Sequence, residues 1–285
     1  MEPLWDQIEQ IVRESDIILE ILDARGVELS RSEQLEEIIT RVGRPRILVI
    51  NKIDLVSIRD LEKAIGRVLD SRRAEKDSVV YFTNRNKKTV RNLLSKIRQV
   101  FAKYGKRESY AKNPILEKPY REARGDIIVG VVGYPNVGKS SVINALAFKQ
   151  KSPVSSKAGT THGIHWISAG KTEIKLIDTP GVIPLKFNEE AGLAIIAARN
   201  PEKMKEPEVA AAAIIDQFIV ANKIRRLEDY YHLKFDKEVL EEKNPYLLIE
   251  KISLARGHLK KGGVADEKRT AINIVKDWQT GRLRL

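Results

Sequence analysis

One stretch of the chain, residues 126–140, constrains the fold more than any other. It reads DIIVGVVGYPNVGKS, an apolar run of strand character that passes into a glycine-rich turn ending in Gly138-Lys139-Ser140. The turn matches G-x-x-x-x-G-K-[ST], and a helical pattern follows it over about 139–148. The backbone amides of such a loop surround phosphate, and the dipole of the following helix favours negative charge. The stretch therefore predicts a phosphate site on a strand–loop–helix unit.

Each residue type in this phosphate loop, residues 133–140, has an expected role. We expect phosphate contacts from Gly133, Asn136, Val137, Gly138, Lys139, Ser140 and Ser141. Lys139 is expected between the β- and γ-phosphates, where it also serves catalysis, and the Ser140 hydroxyl is expected to bind Mg²⁺. The alternative is a glycine-rich turn that binds nothing, which the flanking strand and helix patterns disfavour.

A second metal ligand is expected in IDTPGV, residues 177–182. Asp178 ends an apolar strand pattern, where its carboxylate can hold the water shell of Mg²⁺. Gly181 is a candidate catalytic residue, because its amide can contact the γ-phosphate. The next position is Val182, a side chain that cannot orient an attacking water by hydrogen bonding.

The loop KAGTTHGIHW, residues 157–166, lies between these two motifs. Thr160 and Thr161 could each offer Mg²⁺ a hydroxyl, although a threonine-rich loop that binds nothing is the plain alternative. His162 is a candidate catalytic residue that, like His165, could approach the attacking water. Such histidines are more often surface or packing residues.

The tetrapeptide NKID, residues 51–54, follows the apolar run RILVI and predicts a guanine site. Asp54 can accept two hydrogen bonds from the N1–H and N2–H₂ edge of guanine, a donor pair that adenine lacks. Asn51 is expected to contact the base and brace the loop, while the stem of Lys52 lies over the ring. Within FTNR, Thr83 and Asn84 could add a backbone contact to the base. The nucleotide is therefore predicted to be GTP, although NKID alone could be an ordinary turn.

The hydrophobic pattern predicts an α/β fold followed by an all-α domain. Strand patterns at 16–24, 46–50, 79–82, 126–133 and 173–181 alternate with helical patterns at 4–14, 33–42, 57–70, 88–104 and 139–148. Such alternation is typical of a mostly parallel sheet with helices on both faces. Residues 105–125 are expected to be a connector. The predicted domains are 1–187 and 188–285, the second of them helical. Trp278 and Tyr246 are expected in its core rather than stacked on bases.

Charge predicts a polyanionic partner. The 285-residue chain carries a net charge of +12 and has no cysteine. Residues 84–107 contain nine Lys/Arg and no acid, and residues 251–285 contain nine against three Asp/Glu. Both stretches fit faces that contact RNA phosphates, with 255–263 as a loop laid on the RNA backbone. Solvated helix faces, or the charged surface of a heat-adapted protein, are the alternatives.

Two classes of targeting segment are not expected. Residues 1–16 have neither the basic start nor the apolar run of a secretory signal. We find no apolar run long enough to predict a membrane span. We therefore expect a cytoplasmic protein without a membrane partner. We also expect it to be monomeric when free.

The order of the motifs resembles a known family. NKID precedes GYPNVGKSS, the G-T-T loop and DTPG, which is similar to the rotated order of circularly permuted GTPases. Asp23-Ala24-Arg25, Ser30-Arg31-Ser32 and the terminal GRLRL resemble the YlqF/RbgA group, which assists assembly of the large ribosomal subunit. The resemblance implies a P-loop GTPase domain of circularly permuted motif order plus a C-terminal helical domain. It also implies that Thr161, two residues after a loop glycine, is the Mg²⁺ threonine.

The resemblance implies an activity and partners as well. We expect slow hydrolysis of GTP, raised by a partner, with Mg²⁺ as cofactor and a potassium ion near Asn136. The expected partners are the precursor of the large ribosomal subunit and its rRNA. A regulatory switch acting on a protein without RNA contact is the alternative, whereas an ATP-dependent RNA-modifying enzyme is opposed by NKID. The rotated order further predicts coupling of nucleotide state to domain 188–285 through the segment after Gly181.

Departures from the family pattern concern the activation chemistry. The chain has no histidine before His162, so the role of the family's N-terminal histidine has no counterpart. Ala158 replaces the family's proline before the loop glycine, and Asp23-Ala24-Arg25 is followed by Gly-Val. These changes leave the predicted nucleotide-binding residues in place.

Overall fold

The computed structural model describes most of both predicted regions. The described residues are 3–57, 59, 61–62, 66, 79–106, 126–148, 165–170, 172–178 and 200–285. Most of the predicted helix 57–70, the connector beyond residue 106, the G-T-T loop and the segment 179–199 lie outside them. Within the described ranges, no helix is both long enough and apolar enough to cross a membrane.

Strands and helices follow the predicted patterns closely. The strands are β1 (Ile17–Asp23), β2 (Arg46–Asn51), β3 (Val79–Tyr81), β4 (Ile127–Val132), β5 (His165–Ser168) and β6 (Ile174–Asp178). The helices are α1 (Pro3–Glu14), α2 (Glu33–Val42), α3 (Lys87–Tyr104), α4 (Lys139–Ala147), α5 (Pro207–Val220), α6 (Ile224–Tyr231), α7 (Lys237–Glu242), α8 (Pro245–Ala255) and α9 (Glu267–Gln279). Local chemistry sets their ends: Asn86, for example, caps α3 by accepting a hydrogen bond from Lys88 N.

The strands form one sheet in the order β3-β2-β1-β4-β6-β5. Every pairing is parallel except that of β5 with β6, which confirms the predicted α/β class. Asp23 lies opposite Asn51 in the β1–β2 pair, and Val131 lies opposite Asp178 in the β4–β6 pair. The carboxyl ends of β1, β2, β4 and β6 therefore meet at one edge, where ligands of open α/β sheets bind.

Helices cover both faces of the sheet because its strands are apolar on both sides. Ile17, Leu19 and Ile21 of β1 point to the face covered by α3 and α4. Ile18, between them, belongs to the cluster formed with α1 and α2 on the other face, which includes Trp5. This alternation is what buries a parallel strand on both sides.

The chain divides into two compact units. The first comprises Met1–Asp23, Ser30–Ile53 and Ile65–Ile183, and the second comprises Ala24–Leu29, Asp54–Ala64 and Pro184–Leu285. In the second unit, helices α5, α6, α8 and α9 contribute to one apolar core. Trp278 is fully buried there, as predicted. The prediction for Tyr246 was wrong: its side chain is 44% exposed, because it lies in the first turn of α8 on the solvent side.

A group of buried charges lies between the sheet and α2. Glu20 of β1 accepts a hydrogen bond from Arg46 of β2 at 3.0 Å, and Arg46 also pairs with Glu36 of α2. Arg31 forms a second ion pair with Glu36, in which Arg31 Nε lies 2.6 Å from Glu36 Oε1. Burial raises the pKa of Glu20 to about 7 despite the nearby Arg46, because the charged form is desolvated. The folded state therefore favours a protonated Glu20 more than the unfolded chain does.

We predict that Glu20→Gln flattens the pH dependence of stability below neutrality. The contribution of Glu20 is fully present below about pH 4.5 and is lost as the pH rises through about 7. A pKa shift of this size changes the free energy of unfolding by about 3 kcal/mol between those limits. Urea unfolding followed by circular dichroism from pH 4.5 to 8 measures it. Glu173→Gln is the control, since its exposed carboxyl has a lowered pKa; equal pH profiles for wild type and Glu20→Gln would contradict the prediction.

Candidate nucleotide-binding site

The phosphate loop connects β4 directly to α4. Val137 at its centre is fully buried, which anchors the turn to the sheet. Gly138 precedes α4 with a φ of 104°, a conformation that side chains rarely adopt. A Cβ atom at this position would overlap the side-chain amide of Asn51. Glycine is therefore required here both by the turn and by the approach of the NKID loop.

The side chain of Lys139 bends back and contacts the backbone of the phosphate loop. Its Nζ donates hydrogen bonds to the carbonyl oxygens of Gly133 at 2.7 Å and Tyr134 at 2.9 Å. Burial lowers the pKa of Lys139 to about 8, while the carboxylate of Asp178 opposes the shift. The ammonium is still mostly charged at neutral pH, so it can turn from carbonyl oxygens to phosphate oxygens.

The NKID loop is braced against the phosphate loop by two side chains. Asn51, which is 4% exposed, donates from Nδ2 to the carbonyl of Val137 at 2.8 Å. Its Oδ1 accepts from the backbone N–H of Lys52 at 2.8 Å. Lys52 Nζ donates to the carbonyl of Asn136 at 2.7 Å. The predicted base-reading and phosphate-holding segments are thus joined by direct hydrogen bonds.

One participant in this arrangement was missed by sequence reasoning. Asp23 ends β1, is fully buried and accepts from Lys52 Nζ at 2.7 Å. A carboxylate that closes an otherwise apolar strand, next to the strand that carries NKID, was the available signal. In the sequence it contributed only to the family resemblance.

The remaining guanine candidates follow β2 and β3. Asp54 is half-buried on a short 3₁₀ helix, Ile53–Leu55. The loop after β3 approaches the NKID loop through the Ile53 N–H and the Phe82 carbonyl, at 3.4 Å. Thr83 is buried and its carbonyl accepts from Thr89 Oγ1 at 2.6 Å, whereas Asn84 is exposed.

The predicted metal ligands fit a magnesium ion that is shared with phosphate. Ser140 is exposed in the first turn of α4, and Asp178 ends the strand beside the one that feeds the loop. The described residues contain no cluster of three or more His, Asp or Glu side chains that could hold a metal alone. A hydroxyl and a carboxylate suit Mg²⁺, which completes its shell with phosphate oxygens and water. Thr161, His162 and Gly181 lie outside the described residues.

Comparison with known proteins agrees with this arrangement. Residues 128–251 match the family model described as 50S ribosome-binding GTPase. The chain is 36% identical to an uncharacterized GTP-binding protein of Methanocaldococcus jannaschii over 99% of this chain and 66% of that protein. It is 28% identical to Ribosome biogenesis GTPase A of Priestia megaterium over 97% of this chain and 90% of that protein. A structure of GNP-bound YlqF from T. maritima covers 99% of the chain and 96% of its own, with a TM-score of 0.61 and 19% identity, and so shares the fold.

The fold and the motifs define a P-loop GTPase domain joined to a C-terminal helical region. More narrowly, the chain is similar over most of their length to relatives named Ribosome biogenesis GTPase A, and it shares the fold of YlqF. The chain spans between 48% and 66% of the length of the first four curated relatives that it matches.

We predict that Asn51→Ala weakens GDP binding by roughly 10- to 100-fold. The change removes the bond to the Val137 carbonyl and leaves buried partners unpaired, at a cost of about 1–3 kcal/mol. Titration with a fluorescent GDP analogue measures the dissociation constant, and competition with unlabelled ADP is expected to fail. Gln7→Ala, on an exposed face of α1, is the control. Unchanged affinity of Asn51→Ala, or equal competition by ADP and GDP, would count against the site.

Proposed function

We propose that the protein binds GTP with Mg²⁺ and hydrolyses it to GDP and phosphate. The observation that carries this proposal is the pair of hydrogen bonds from the NKID loop to the phosphate loop, at Val137 and Asn136. The carboxylate proposed to select guanine, Asp54, lies two residues after Lys52, in the loop that these bonds brace. A nucleotide that contacts both loops therefore meets a prepared site.

The residues of the chain have distinct tasks in this proposal. Lys139 and the amides of the phosphate loop neutralise charge that develops on the phosphates. Ser140, Asp178 and Thr161 would hold Mg²⁺, which would supply positive charge that polarises the phosphate oxygens. Gly181 contacts the γ-phosphate through its amide.

Slow intrinsic hydrolysis is part of the proposal. Val182 stands where Ras-like proteins carry the glutamine that orients the attacking water. A partner is therefore needed to complete the catalytic arrangement, and His162 is the candidate within the chain for contact with that water. Asn136, in the phosphate loop, is proposed to hold a potassium ion near the β- and γ-phosphates.

We predict that potassium raises the hydrolysis rate on the order of 10-fold over sodium at equal ionic strength, as expected for an added positive group at the developing charge. Asn136→Gly should abolish the difference, because it removes the side chain while glycine tolerates the positive φ of 60° at this position. Single-turnover phosphate release measures the rate, with Asn273→Ala as the control. Equal wild-type rates in both salts would exclude the potassium role and leave the GTPase proposal standing.

In the first unit, the basic face of α3 is a candidate surface for RNA binding. The buried face of α3 consists of apolar residues such as Val90, Leu93 and Ile97. Its first turns expose Lys87, Lys88 and Arg91 to solvent. No acidic side chain occurs between residues 84 and 107. Farther along the helix Arg98 pairs with Glu173 at 2.8 Å, so it is the first turns that attract phosphate.

The second unit offers a rigid basic hairpin between α8 and α9, residues 256–266. Lys260 N donates to the Val264 carbonyl at 2.8 Å, and Asp266 N donates to the His258 carbonyl at 2.7 Å. Lys260 and Lys261 at its tip are exposed. A preformed loop loses little conformational freedom on binding, which favours contact with folded RNA read by shape and phosphate.

A cavity beside this hairpin is also basic. It has a volume of about 250 Å³ and is lined in part by Arg256, Lys276 and Arg282. Asp277 is the acidic member of the lining, and burial raises the pKa of its carboxyl. Lys276 pairs with Glu202 at 2.7 Å and Arg282 lies 3.9 Å from Asp277. The remaining positive charge of Arg256 favours an anion such as a backbone phosphate.

We further propose that the GTPase cycle serves assembly of the large ribosomal subunit in the cytoplasm. The relatives named Ribosome biogenesis GTPase A, which the chain matches over most of their length, support this role. The basic surfaces of both units support rRNA as the contact. The alternative, a switch that acts on a protein without RNA, predicts neither RNA affinity nor its dependence on salt.

We predict that Arg256→Ala, Lys260→Ala and Lys261→Ala together lower the slope of log affinity against log salt by about 2 to 3 for structured rRNA fragments, since each removed phosphate contact lowers it by about 1. Filter binding between 50 and 300 mM salt measures the slope. Lys205→Ala, Lys234→Ala and Lys237→Ala, exposed charges of the same unit, form the control.

Co-sedimentation with large subunits separates the two functions. Stronger retention with a GTP analogue than with GDP is expected for an assembly factor. Equal retention in both states would contradict the switch, and no retention at all would favour the protein-directed alternative.

A further inference from the structure

Arg25, the third residue of Asp23-Ala24-Arg25, binds the end of the last helix. It belongs to the second compact unit, where its Nη1 donates to the carbonyl oxygen of Trp278 at 2.5 Å. The guanidinium lies over the Trp278 ring, 5.2 Å from its centroid, and the residue is 8% exposed. A buried cation at a helix C-terminus meets the negative end of the helix dipole and stacks on the aromatic face.

Leu55, which directly follows the guanine-reading Asp54, contacts the same turn. It also belongs to the second unit and is 8% exposed. A Cβ atom at Gly281 would lie 2.9 Å from Leu55 Cδ2, so the turn approaches the leucine as closely as glycine permits. Residues 278–283, here named the C-terminal turn, are thus held by one residue that follows β1 and one that follows β2.

Residues that directly precede these two segments in the chain make contacts in the nucleotide site of the first unit. In the first unit, Asp23 pairs with Lys52 Nζ at 2.7 Å, and that ammonium also binds the Asn136 carbonyl of the phosphate loop. The chain passes from the first unit to the second between Asp23 and Ala24, and again between Ile53 and Asp54. A single residue, Ala24, separates the residue that orders Lys52 from the one that caps α9.

We propose that Asp23 and Arg25 are positioning residues that couple guanine-nucleotide binding to the order of the C-terminal turn. Nucleotide that fixes the NKID loop fixes Lys52 and its buried partner Asp23, and the short link then holds Arg25 against Trp278. By thermodynamic reciprocity, an ordered C-terminal turn increases nucleotide affinity by the same factor. The proposal rests on nucleotide binding alone and requires neither RNA nor an activator.

This route differs from coupling through the γ-phosphate. The segment after Gly181 responds to the difference between GTP and GDP, whereas the base and the Lys52 bonds are common to both nucleotides. The expected response therefore distinguishes bound from empty protein, and GDP suffices to produce it. A purely structural Arg25, which only caps α9, would change stability without changing nucleotide affinity.

Hydrogen exchange on the full-length protein, with and without saturating GDP, tests the coupling. The amides of Gly281, Arg282 and Leu283 are suitable probes, because they donate to the carbonyls of Trp278 and Asp277 at 2.9–3.1 Å. We expect GDP to slow their exchange on the order of 10-fold in the wild type. Amides of residues 137–141 report nucleotide binding itself in the same experiment.

Arg25→Gln should reduce the effect of GDP on the C-terminal turn to less than about 2-fold, since it removes the charge and the stacking. Asp23→Asn removes the charge that orders Lys52. It should reduce the effect of GDP on the C-terminal turn to the same extent, although Arg25 remains in place. In both variants the dissociation constant of GDP should rise by the factor of protection that is lost. Arg225→Gln, an exposed arginine of α6, is the matched control and should behave as the wild type.

The outcomes are distinguishable. Protection of residues 137–141 without protection of the C-terminal turn in the wild type would overturn the coupling and leave nucleotide binding intact. Full protection of the turn in Arg25→Gln, or an unchanged GDP dissociation constant, would also overturn it. Absence of protection at 137–141 would contradict the nucleotide-binding proposal itself.

Discussion

The ammonium of Lys52 is the contact on which the arrangement of the site depends. It joins three segments that are distant in sequence: the carboxylate that ends β1, the loop that follows β2 and the carbonyl of Asn136 in the phosphate loop. Asp23 is fully buried and Lys52 is partly exposed, so the pair is favourable only with good geometry and further hydrogen bonds, and both are present. Asn51 adds a second bond to the same loop. The order of motifs along the chain is therefore of no consequence to the site, because strand neighbours and these bonds set its geometry.

Two chain segments next to the site do leave the first compact unit. In the rotated order, the residues after β1 and after β2 enter the second compact unit with Arg25 and Leu55. The NKID loop thus continues along the chain into residues of the second unit, which is the link that the proposed coupling uses. The sequence pointed instead to the γ-phosphate end, through the segment after Gly181.

Local patterns in the sequence were sufficient for the strands, the helices and the phosphate loop. Apolar runs of strand length and turns such as Gly133–Ser140 carry their structure in adjacent residues, so their bounds were predicted within one to three residues. The family resemblance added the expected motif order. Asp23, Arg25 and Glu20 were not recognised as functional or structural centres, since their partners lie 29, 253 and 26 residues away. Tyr246 was placed in the core because periodicity does not distinguish an apolar face from the open first turn of a helix.

The buried ion pair of Glu20 and Arg46 has a further consequence for how the sheet assembles. The two residues lie on neighbouring strands, on the face that packs against α2, where Arg46 donates to Glu20 and also pairs with Glu36. A shift of one residue in the alignment of β1 and β2 would turn Arg46 to the opposite face and leave an uncompensated charge in the interior. Apolar strands such as these offer many alignments of similar hydrophobic quality. The charges favour one of them, the alignment that places Asp23 opposite Asn51 at the edge of the sheet.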